Sequence, residues 1–99
     1  MAKLKLAEEA GQDIERLTDF LLERDVTTAI ETADLIVDAI SILQRHPLMG
    51  RLVDDGYREL IISRGRTGYV ALYRYDEGKD IVLILAVRHQ RESGYWSQI

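Results

Sequence analysis

Three β-type runs, close together in the second half of the chain, constrain the fold most. They cover residues 57–63, 69–75 and 81–87, and each is rich in the Ile, Val, Leu and Tyr that suit a pleated surface. Residues 64–68 and 76–80 join them as short, polar, glycine-containing connections. Strands joined by such short connections pair antiparallel, so these runs predict a three-stranded meander.

Two amphipathic helices are predicted before the meander. Apolar residues at three- and four-residue spacing predict a first helix over residues 8–24 and a second that begins near Thr28. Thr28 and Glu31 fit a capping box, in which the hydroxyl and the carboxylate satisfy free backbone N–H groups. Pro47 disfavours helical geometry at the residue before it, so the second helix must end by His46. The connection between the helices is short, which predicts an antiparallel hairpin.

Smaller features complete the predicted helices and connections. The acidic residues Glu8, Glu9 and Asp13 lie near the start of the first helix, where negative charge suits the positive end of the helix dipole. Gly50 and Gly56, between the second helix and the meander, are expected to supply positive φ angles. These assignments concern local geometry alone.

A short alternating run at residues 3–6 is predicted to add an edge strand to the meander. The chain is therefore predicted to be a single α+β domain over residues 1–99, with the order β-α-α-β-β-β. We expect a helical hairpin packed on a mainly antiparallel four-stranded sheet. Alternation places two kinds of residue on opposite faces of the middle strand: Tyr69, Ala71, Tyr73 and Tyr75 on one, Val70, Leu72 and Arg74 on the other. The helices are expected to cover the aliphatic face, leaving the tyrosines partly solvated or under the C-terminal residues.

Composition excludes several classes of function. The chain has no cysteine, which excludes disulfides and thiolate zinc sites, and no apolar run long enough to span a membrane. We see no signal peptide and expect a cytoplasmic protein with no membrane association. The two histidines, His46 and His89, lie far apart and lack metal-binding spacing, so we expect no metal and no cofactor.

Charge is divided unevenly along the chain, whose formal net charge is −4. Residues 1–56 hold six Lys and Arg against twelve Asp and Glu, whereas residues 57–99 hold seven against five. An acidic protein is a poor general nucleic-acid binder, because non-specific affinity depends on clustered Lys and Arg. Direct nucleic-acid binding is therefore disfavoured, although the second half leaves room for a local basic site.

Polar side chains concentrate where the predicted strands end. The candidate target-binding residues are Arg64, Arg66, Arg88, His89 and Arg91, together with Tyr69, Tyr73 and Tyr75. Arginines so placed suit a phosphate or an acidic peptide, and aromatic faces suit bases or peptides. The alternative is structural: solvated arginines, a histidine that closes its strand by hydrogen bonding, and tyrosines packed on Tyr95 and Trp96.

Four strings in this order and spacing carry a family resemblance: HPLMGR at residues 46–51, REL at 58–60, GYVALYR at 68–74 and VRHQRE at 87–92. They resemble the RelE/ParE toxin superfamily, and most closely its ParE-type, plasmid-stabilisation branch. The resemblance implies the toxin of a bacterial type II toxin–antitoxin module, held in a hetero-oligomer by a cognate antitoxin that neutralises it.

The resemblance leaves three functions open. ParE-like members are understood to poison DNA gyrase by binding it, without catalysing a reaction. RelE-like members cut mRNA on the ribosome, and here would use His89, Arg66, Arg88 and Arg91. A third class binds only its antitoxin and is inactive. RelE-like nucleases are strongly basic, whereas this chain has a pI near 5.1 and three lysines, so we expect the gyrase-binding, non-enzymatic function.

Overall fold

The computed structural model describes residues 1–64, 67–92 and 94–95, and of Arg64 and Thr67 only the backbone. The elements follow in chain order: β1 Lys3–Leu6, α1 Glu8–Leu22, α2 Val26–Ile42, β2 Arg51–Leu52, a 3-10 turn Asp54–Gly56, β3 Arg58–Arg64, β4 Thr67–Asp76 and β5 Ile81–His89. The predicted α+β class and the order of helices and main strands are confirmed. Neither described helix has the length and apolar composition needed to cross a membrane.

The strands form one sheet in the order β1-β5-β4-β3-β2. β1 pairs parallel with β5, and the other neighbours pair antiparallel. The prediction of four strands is wrong by one, because the two-residue β2 pairs with the start of β3. Its pairing includes an ion pair between Arg51 and Glu59, with 2.8 Å between Nη2 and Oε1. Gly50 and Gly56 flank this stretch and are typical of an irregular connection. The partner of Arg51 lies eight residues further along the chain, so the local sequence does not predict the pairing.

The helices cover the tyrosine face of the sheet, so the prediction that they cover the aliphatic face is wrong. Tyr69 and Tyr73 are 5% and 0% exposed and belong to the same core cluster as Ile36 and Ile40 of α2. The prediction of half-exposed tyrosines is likewise wrong for these two. A buried tyrosine contributes a large apolar ring, provided that its hydroxyl finds a partner.

A β-bulge at Leu85 determines which side chains of the last strand face the helices. Tyr73 pairs with Ile84 but Leu72 pairs with Ala86, so Leu85 is one residue too many. Before the bulge the even-numbered residues of β5 face the helices, and after it the odd-numbered residues do. The bulge therefore turns His89 to the helix side of the sheet and Arg88 to the far side.

The Tyr73 hydroxyl holds the connection after α2 against the sheet. Gly50 N–H donates to this hydroxyl at 2.8 Å, and the hydroxyl donates to the Pro47 carbonyl at 2.8 Å. A Cβ on Gly50 would lie 2.6 Å from the Tyr73 ring, so this position requires glycine for close approach. The positive φ predicted for Gly50 is wrong, whereas that of Gly56 is confirmed at +79°.

Asp25 caps the second helix, which begins two residues earlier than predicted. Its Oδ1 accepts from the N–H groups of Thr27 and Thr28 at 3.0 and 3.4 Å. The Thr28 hydroxyl donates to Asp25 Oδ2 at 2.8 Å, so it supports the cap without being the cap. The predicted Thr28 cap is wrong because Asp25 stands where its carboxylate reaches both free N–H groups. The helix ends at Ile42, before His46 as predicted.

We expect Tyr73→Phe to lower the free energy of unfolding by about 1–3 kcal/mol, because it leaves the buried Gly50 N–H without an acceptor. Urea denaturation of purified protein measures the change. Tyr75→Phe is the matched control, since the Tyr75 hydroxyl donates to Asp80 at the surface and its loss should cost clearly less. Equal losses in the two variants would contradict the anchoring role of Tyr73.

Candidate functional site

Strand register brings several predicted site residues to one end of the sheet. Arg64 pairs with Thr67, and Tyr69 pairs with His89. The end of β3, the start of β4 and the end of β5 thus lie together. Arg66 lies outside the described residues.

β5 extends beyond the strand that covers its outer edge. β1 ends at Leu6, opposite Ile84, whereas β5 continues to His89. Gln90 N–H donates to Gly68 of β4, so by alternation the N–H groups of Val87 and His89 point away from β4. Both N–H groups need an acceptor other than a strand, because unpaired edge groups are costly when buried.

Asp13 of α1 supplies the first of these acceptors. Its Oδ2 accepts the Val87 N–H at 2.9 Å, and the residue is 3% exposed. Burial raises the pKa of this carboxyl above its ordinary 3.8, and the Val87 N–H and the Arg16 guanidinium oppose that rise. The expected role of Asp13 at the helix dipole is replaced by a specific bond to the sheet.

Glu92 and Arg16 continue this protection of the edge. Glu92 Oε2 accepts the His89 N–H at 3.1 Å, and Arg16 Nη1 donates to Glu92 Oε1 at 2.8 Å. Arg16 Nη2 also lies 3.7 Å from Asp13 Oδ1. The carboxylates of Asp13 and Glu92, joined by the Arg16 guanidinium, therefore accept the N–H groups that β1 leaves unpaired at the outer edge of β5. They also link α1 to the end of β5.

Two contacts fix the position of the His89 ring. The ring meets Tyr69 edge to face, with centroids 5.3 Å apart, and its Nδ1 accepts the Arg91 N–H at 3.0 Å. Because the lone pair on Nδ1 is occupied, a neutral ring in this arrangement carries its proton on Nε2. His89 therefore presents a hydrogen-bond donor.

A cleft of about 650 Å³ opens between the second half of α1 and the end of β5. We call it the α1–β5 cleft; its lining comprises Arg16, Leu17, Phe20, Leu21, Arg24, Tyr69, His89, Arg91 and Glu92. Leu17 and Tyr69 are buried, Arg91 is exposed, and the Arg24 guanidinium lies 4.3 Å from the centre of the Phe20 ring. The cleft combines an apolar floor with cationic groups, which suits a ligand that is both apolar and anionic.

The other predicted site residues lie elsewhere. Arg88 is on the far face of the sheet, where it donates to the carbonyls of His89, Gln90 and Glu92 at 3.0–3.3 Å. Tyr73 is in the core, and Tyr75 is at the opposite end of β4, bonded to Asp80 at 2.6 Å. Of the predicted residues, Tyr69, His89 and Arg91 meet in the α1–β5 cleft.

Sequence reasoning missed the contribution of α1 to this site. Arg16 and Phe20 lie four residues apart on one side of α1, and Arg24 follows at the same spacing just beyond the last helical residue, Leu22. Asp13 interrupts the apolar stripe that runs from Ala10 to Leu17, and a carboxylate in such a stripe indicates a specific buried partner. Both signals were present in the sequence.

Within residues 1–64, 67–92 and 94–95, no three His, Asp or Glu side chains are grouped so as to hold a metal ion. The cleft itself contributes His89 and Glu92, and Glu92 is bonded to Arg16 and to the His89 N–H. The chemistry available at the cleft is therefore that of hydrogen-bond donors, guanidinium groups and aromatic rings.

Comparison with protein families matches residues 4–94 to the family described as the ParE toxin of the type II toxin–antitoxin system, parDE. The chain is also similar to a protein of Caulobacter vibrioides named Toxin RelE3. The two are 35% identical over 92 residues, which cover 93% of this chain and 98% of that protein.

Two solved toxin–antitoxin structures have the same fold. A chain of the chromosomal ParDE system from P. aeruginosa superposes with a TM-score of 0.74 at 22% identity, over 90% of this chain and 96% of that one. A chain of the RelBE2 complex from Mycobacterium tuberculosis gives a TM-score of 0.57 at 26% identity, over 92% and 93%. The first likeness, at this identity, is one of fold alone.

We expect Asp13→Asn to change how stability depends on pH. A carboxyl whose pKa is raised on folding contributes stability below its ordinary pKa of 3.8 and loses it as pH rises through the folded value. The free energy of unfolding of the wild type, relative to that of Asp13→Asn, should therefore fall as the pH rises from 3.8 through the raised pKa of the folded state. Urea titrations across this range measure it, with Asp19→Asn, an exposed site on α1, as control. A constant difference would contradict the assignment.

Proposed function

Since the chain belongs to the ParE toxin family of type II toxin–antitoxin systems, we propose that it acts by binding DNA gyrase without catalysing a reaction. We place the contact in the α1–β5 cleft. Gyrase is the target that the resemblance to ParE-type toxins implies. The non-catalytic mode of action is inferred from the hydrogen bonds that the side chains in the cleft already make.

The environment of His89 is the observation that carries a binding mechanism. RNA cleavage through a 2′-hydroxyl needs one group that accepts a proton and another that donates one. The Nδ1 atom of His89 already accepts the Arg91 N–H. Glu92, the carboxylate beside it, accepts from Arg16 and from the His89 N–H. The protein's own groups thus engage the Nδ1 atom of His89 and both carboxylate oxygens of Glu92, which favours binding over acid–base catalysis.

The charge around the cleft favours a protein target. Arg24 and Arg91 lie at an apolar floor formed by Leu17 and Tyr69. A protein segment with an apolar side chain beside a carboxylate matches this combination. A nucleic-acid strand instead needs a continuous basic track, and the net charge of −4 opposes one.

A ribosome-dependent mRNA endoribonuclease is the second candidate. One observation favours it: His89 shares the cleft with the guanidinium groups of Arg16, Arg24 and Arg91. Such groups could stabilise a phosphorane-like transition state. Its main weakness is the Nδ1 contact, which gives His89 a structural role.

An antitoxin is the proposed regulatory partner. Two structures that share this fold come from toxin–antitoxin systems, one from ParDE and one from the RelBE2 complex. We propose that this chain likewise forms a hetero-oligomer with an antitoxin, in the cytoplasm where gyrase and the ribosome are found. A chain that binds its antitoxin and has no toxic action is the third possibility that experiment must separate.

We expect expression of the chain alone in bacteria to stop growth, with DNA breaks and SOS induction while transcripts stay intact. Pulsed-field gels, an SOS reporter and RNA sequencing measure these effects in parallel. Rapid cleavage of transcripts at ribosomes with intact DNA would contradict the gyrase proposal and support the nuclease. Normal growth at confirmed expression would support the inactive class.

A pair of variants tests the mechanism inside the cleft. His89→Asn retains an acceptor near the position of Nδ1 but removes the imidazole, so a binding toxin should keep toxicity within about tenfold. A nuclease that uses this ring should lose about 10²-fold or more. Arg91→Ala should weaken a binding toxin at least about tenfold. Arg45→Ala, an exposed arginine beyond the end of α2, is the control and should change nothing. Toxicity is measured as the expression level that halves the growth rate, so that a lower level means a more toxic protein.

A further inference from the structure

Arg88 holds the chain at the end of β5 from the far face of the sheet. Its Nη1 donates to the carbonyl oxygens of His89, Gln90 and Glu92 at 3.0–3.3 Å. The Glu92 N–H also donates to the His89 carbonyl at 3.0 Å, which closes a turn over residues 89–92. We call these four residues the end turn. One guanidinium thus contacts three carbonyl groups of a single short turn.

The end turn carries three residues of the α1–β5 cleft, His89, Arg91 and Glu92. The Arg91 N–H donates to His89 Nδ1 at 3.0 Å, so the backbone of the turn orients the ring. The Glu92 carboxylate contacts Arg16 on the helix side, whereas the Glu92 carbonyl accepts from Arg88 on the far side. The turn is therefore held from both faces of the sheet, and its position determines where the His89 ring and the Arg91 side chain lie.

Arg88 is itself part of a polar cluster on the far face. Its Cζ lies 5.2 Å from the centre of the Tyr95 ring, and the Tyr95 hydroxyl donates to Glu59 Oε2 at 2.7 Å. Arg51 Nη2 donates to the other carboxylate oxygen, Oε1, at 2.8 Å. We call Arg51, Glu59, Arg88 and Tyr95 together the far-face latch. It joins the start of the sheet's last antiparallel strands to the chain beyond β5.

Strand register places the far-face latch away from the helices. Glu59 pairs with Leu72, and directly paired residues point to the same side of a sheet. Leu72 precedes Tyr73, which points into the core under the helices, so Leu72 and Glu59 point to the far side. The Glu59 side chain is 13% exposed there, and an anion this buried needs partners. The hydrogen bond from the Tyr95 hydroxyl and the nearby guanidinium groups lower the pKa of this carboxyl.

We propose that the far-face latch positions the end turn and thereby orients His89 and Arg91 in the α1–β5 cleft. Of the described residues that line the cleft, none belongs to the latch, and Arg88 joins the two because it contacts both. The members of the latch are thus positioning residues, which act on the cleft through the backbone of the turn. The effect of this positioning on toxicity rests on the proposed function, whereas the positioning itself does not.

The substitution Arg88→Lys separates charge from geometry. A guanidinium is planar and delocalised, so it can contact several carbonyl oxygens while its face lies against an aromatic ring. An ammonium keeps the positive charge near Glu59 but is a compact, flexible point charge. Arg88→Lys should therefore keep the far-face charge balance and release the end turn.

Nitrogen NMR of the His89 ring tests the positioning without any ligand. In isotope-labelled full-length protein, at a mildly alkaline pH at which free imidazole is neutral, the shifts of Nδ1 and Nε2 report which nitrogen carries the proton. We expect the wild type to hold it on Nε2. Arg88→Lys should weaken the Arg91 N–H contact to Nδ1 and give a mixture of the two tautomers. The ring of His46, beyond the end of α2, should not change and is the internal reference.

Hydrogen exchange at single amides separates local release from general destabilisation. In Arg88→Lys the Arg91 amide should exchange at least about tenfold faster than in the wild type. The Val87 amide belongs to the same strand but is held by Asp13, so its exchange rate should stay within about twofold of the wild-type rate.

Arg74→Lys is the matched control. Arg74 lies on the same face of the sheet, donates to the Asp55 carbonyl at 2.8 Å and has its Cζ 4.2 Å from the centre of the Tyr57 ring. Its chemistry thus resembles that of Arg88, but it has no contact with the end turn among the described residues. Arg74→Lys should leave the His89 tautomer and the exchange of the end-turn amides as in the wild type.

Tyr95→Phe provides a second, milder variant. It keeps a ring beside Arg88 and removes the hydrogen bond to Glu59, so the His89 tautomer and the Arg91 amide should change in the same direction by a smaller amount. It carries the same test if Arg88→Lys does not fold. A His89 ring or an Arg91 amide that behaves as in the wild type would overturn the proposal. Equal acceleration at Arg91 and Val87 would also overturn it, because the latch would then serve general stability alone.

A double-mutant cycle connects the positioning to the proposed function. The affinity for purified DNA gyrase is measured for Arg88→Lys, for Arg91→Ala and for the two together. If the latch acts through Arg91, the loss in the double variant should be at least about threefold smaller than the product of the two single losses. Losses that multiply would show that Arg88 acts independently of Arg91 and would overturn the inference. A wild type that does not bind gyrase would refute the proposed function alone, because the NMR and exchange results decide the positioning by themselves.

Discussion

The hydrogen bond from Val87 N–H to the Asp13 carboxylate is the interaction on which the site most depends. β1 pairs with β5 only as far as Ile84, so the rest of the outer edge must be satisfied by a helix. Once Asp13 faces this edge, the rotation of α1 about its axis is set. Leu17 then enters the core, and the line that begins at Arg16 comes to lie beside the end of β5. The same bond therefore closes the sheet and builds one wall of the cleft.

Burying the Asp13 carboxylate opposes stability, because the charged group loses its contact with water. The same desolvation raises its pKa. The arrangement is sustained by the groups around it: the Val87 N–H donates to Asp13, and Arg16 joins it to Glu92. Glu92 in turn accepts the next outward-pointing N–H, that of His89. Stability at the sheet edge and geometry at the cleft are thus properties of one network. A substitution anywhere in it should be expected to affect both.

The sequence was sufficient to predict both helices and four of the five strands, but not which side chains of the strands face the helices. Periodicity located both helices and the three long strands, because each pattern extends over several residues. The run Ile81–Val87 is apolar at every position, so it has no alternation that could expose the extra residue Leu85. Without that bulge, Arg88 would be assigned to the side that His89 occupies. The burial of Tyr73 could not be predicted for another reason. The partners of its hydroxyl, Gly50 and Pro47, are more than twenty residues away in the chain, so no local pattern shows them.

The uneven distribution of charge along the chain bears on the kind of partner that it can bind. Fold alone does not decide function, and the site must. The proposed target contact needs only local positive charge, which Arg24 and Arg91 supply at the cleft. A ribonuclease would instead need positive charge along the whole path of its RNA, and the acids of both helices would work against it. The uneven charge is therefore better explained by a protein target than by a nucleic-acid substrate.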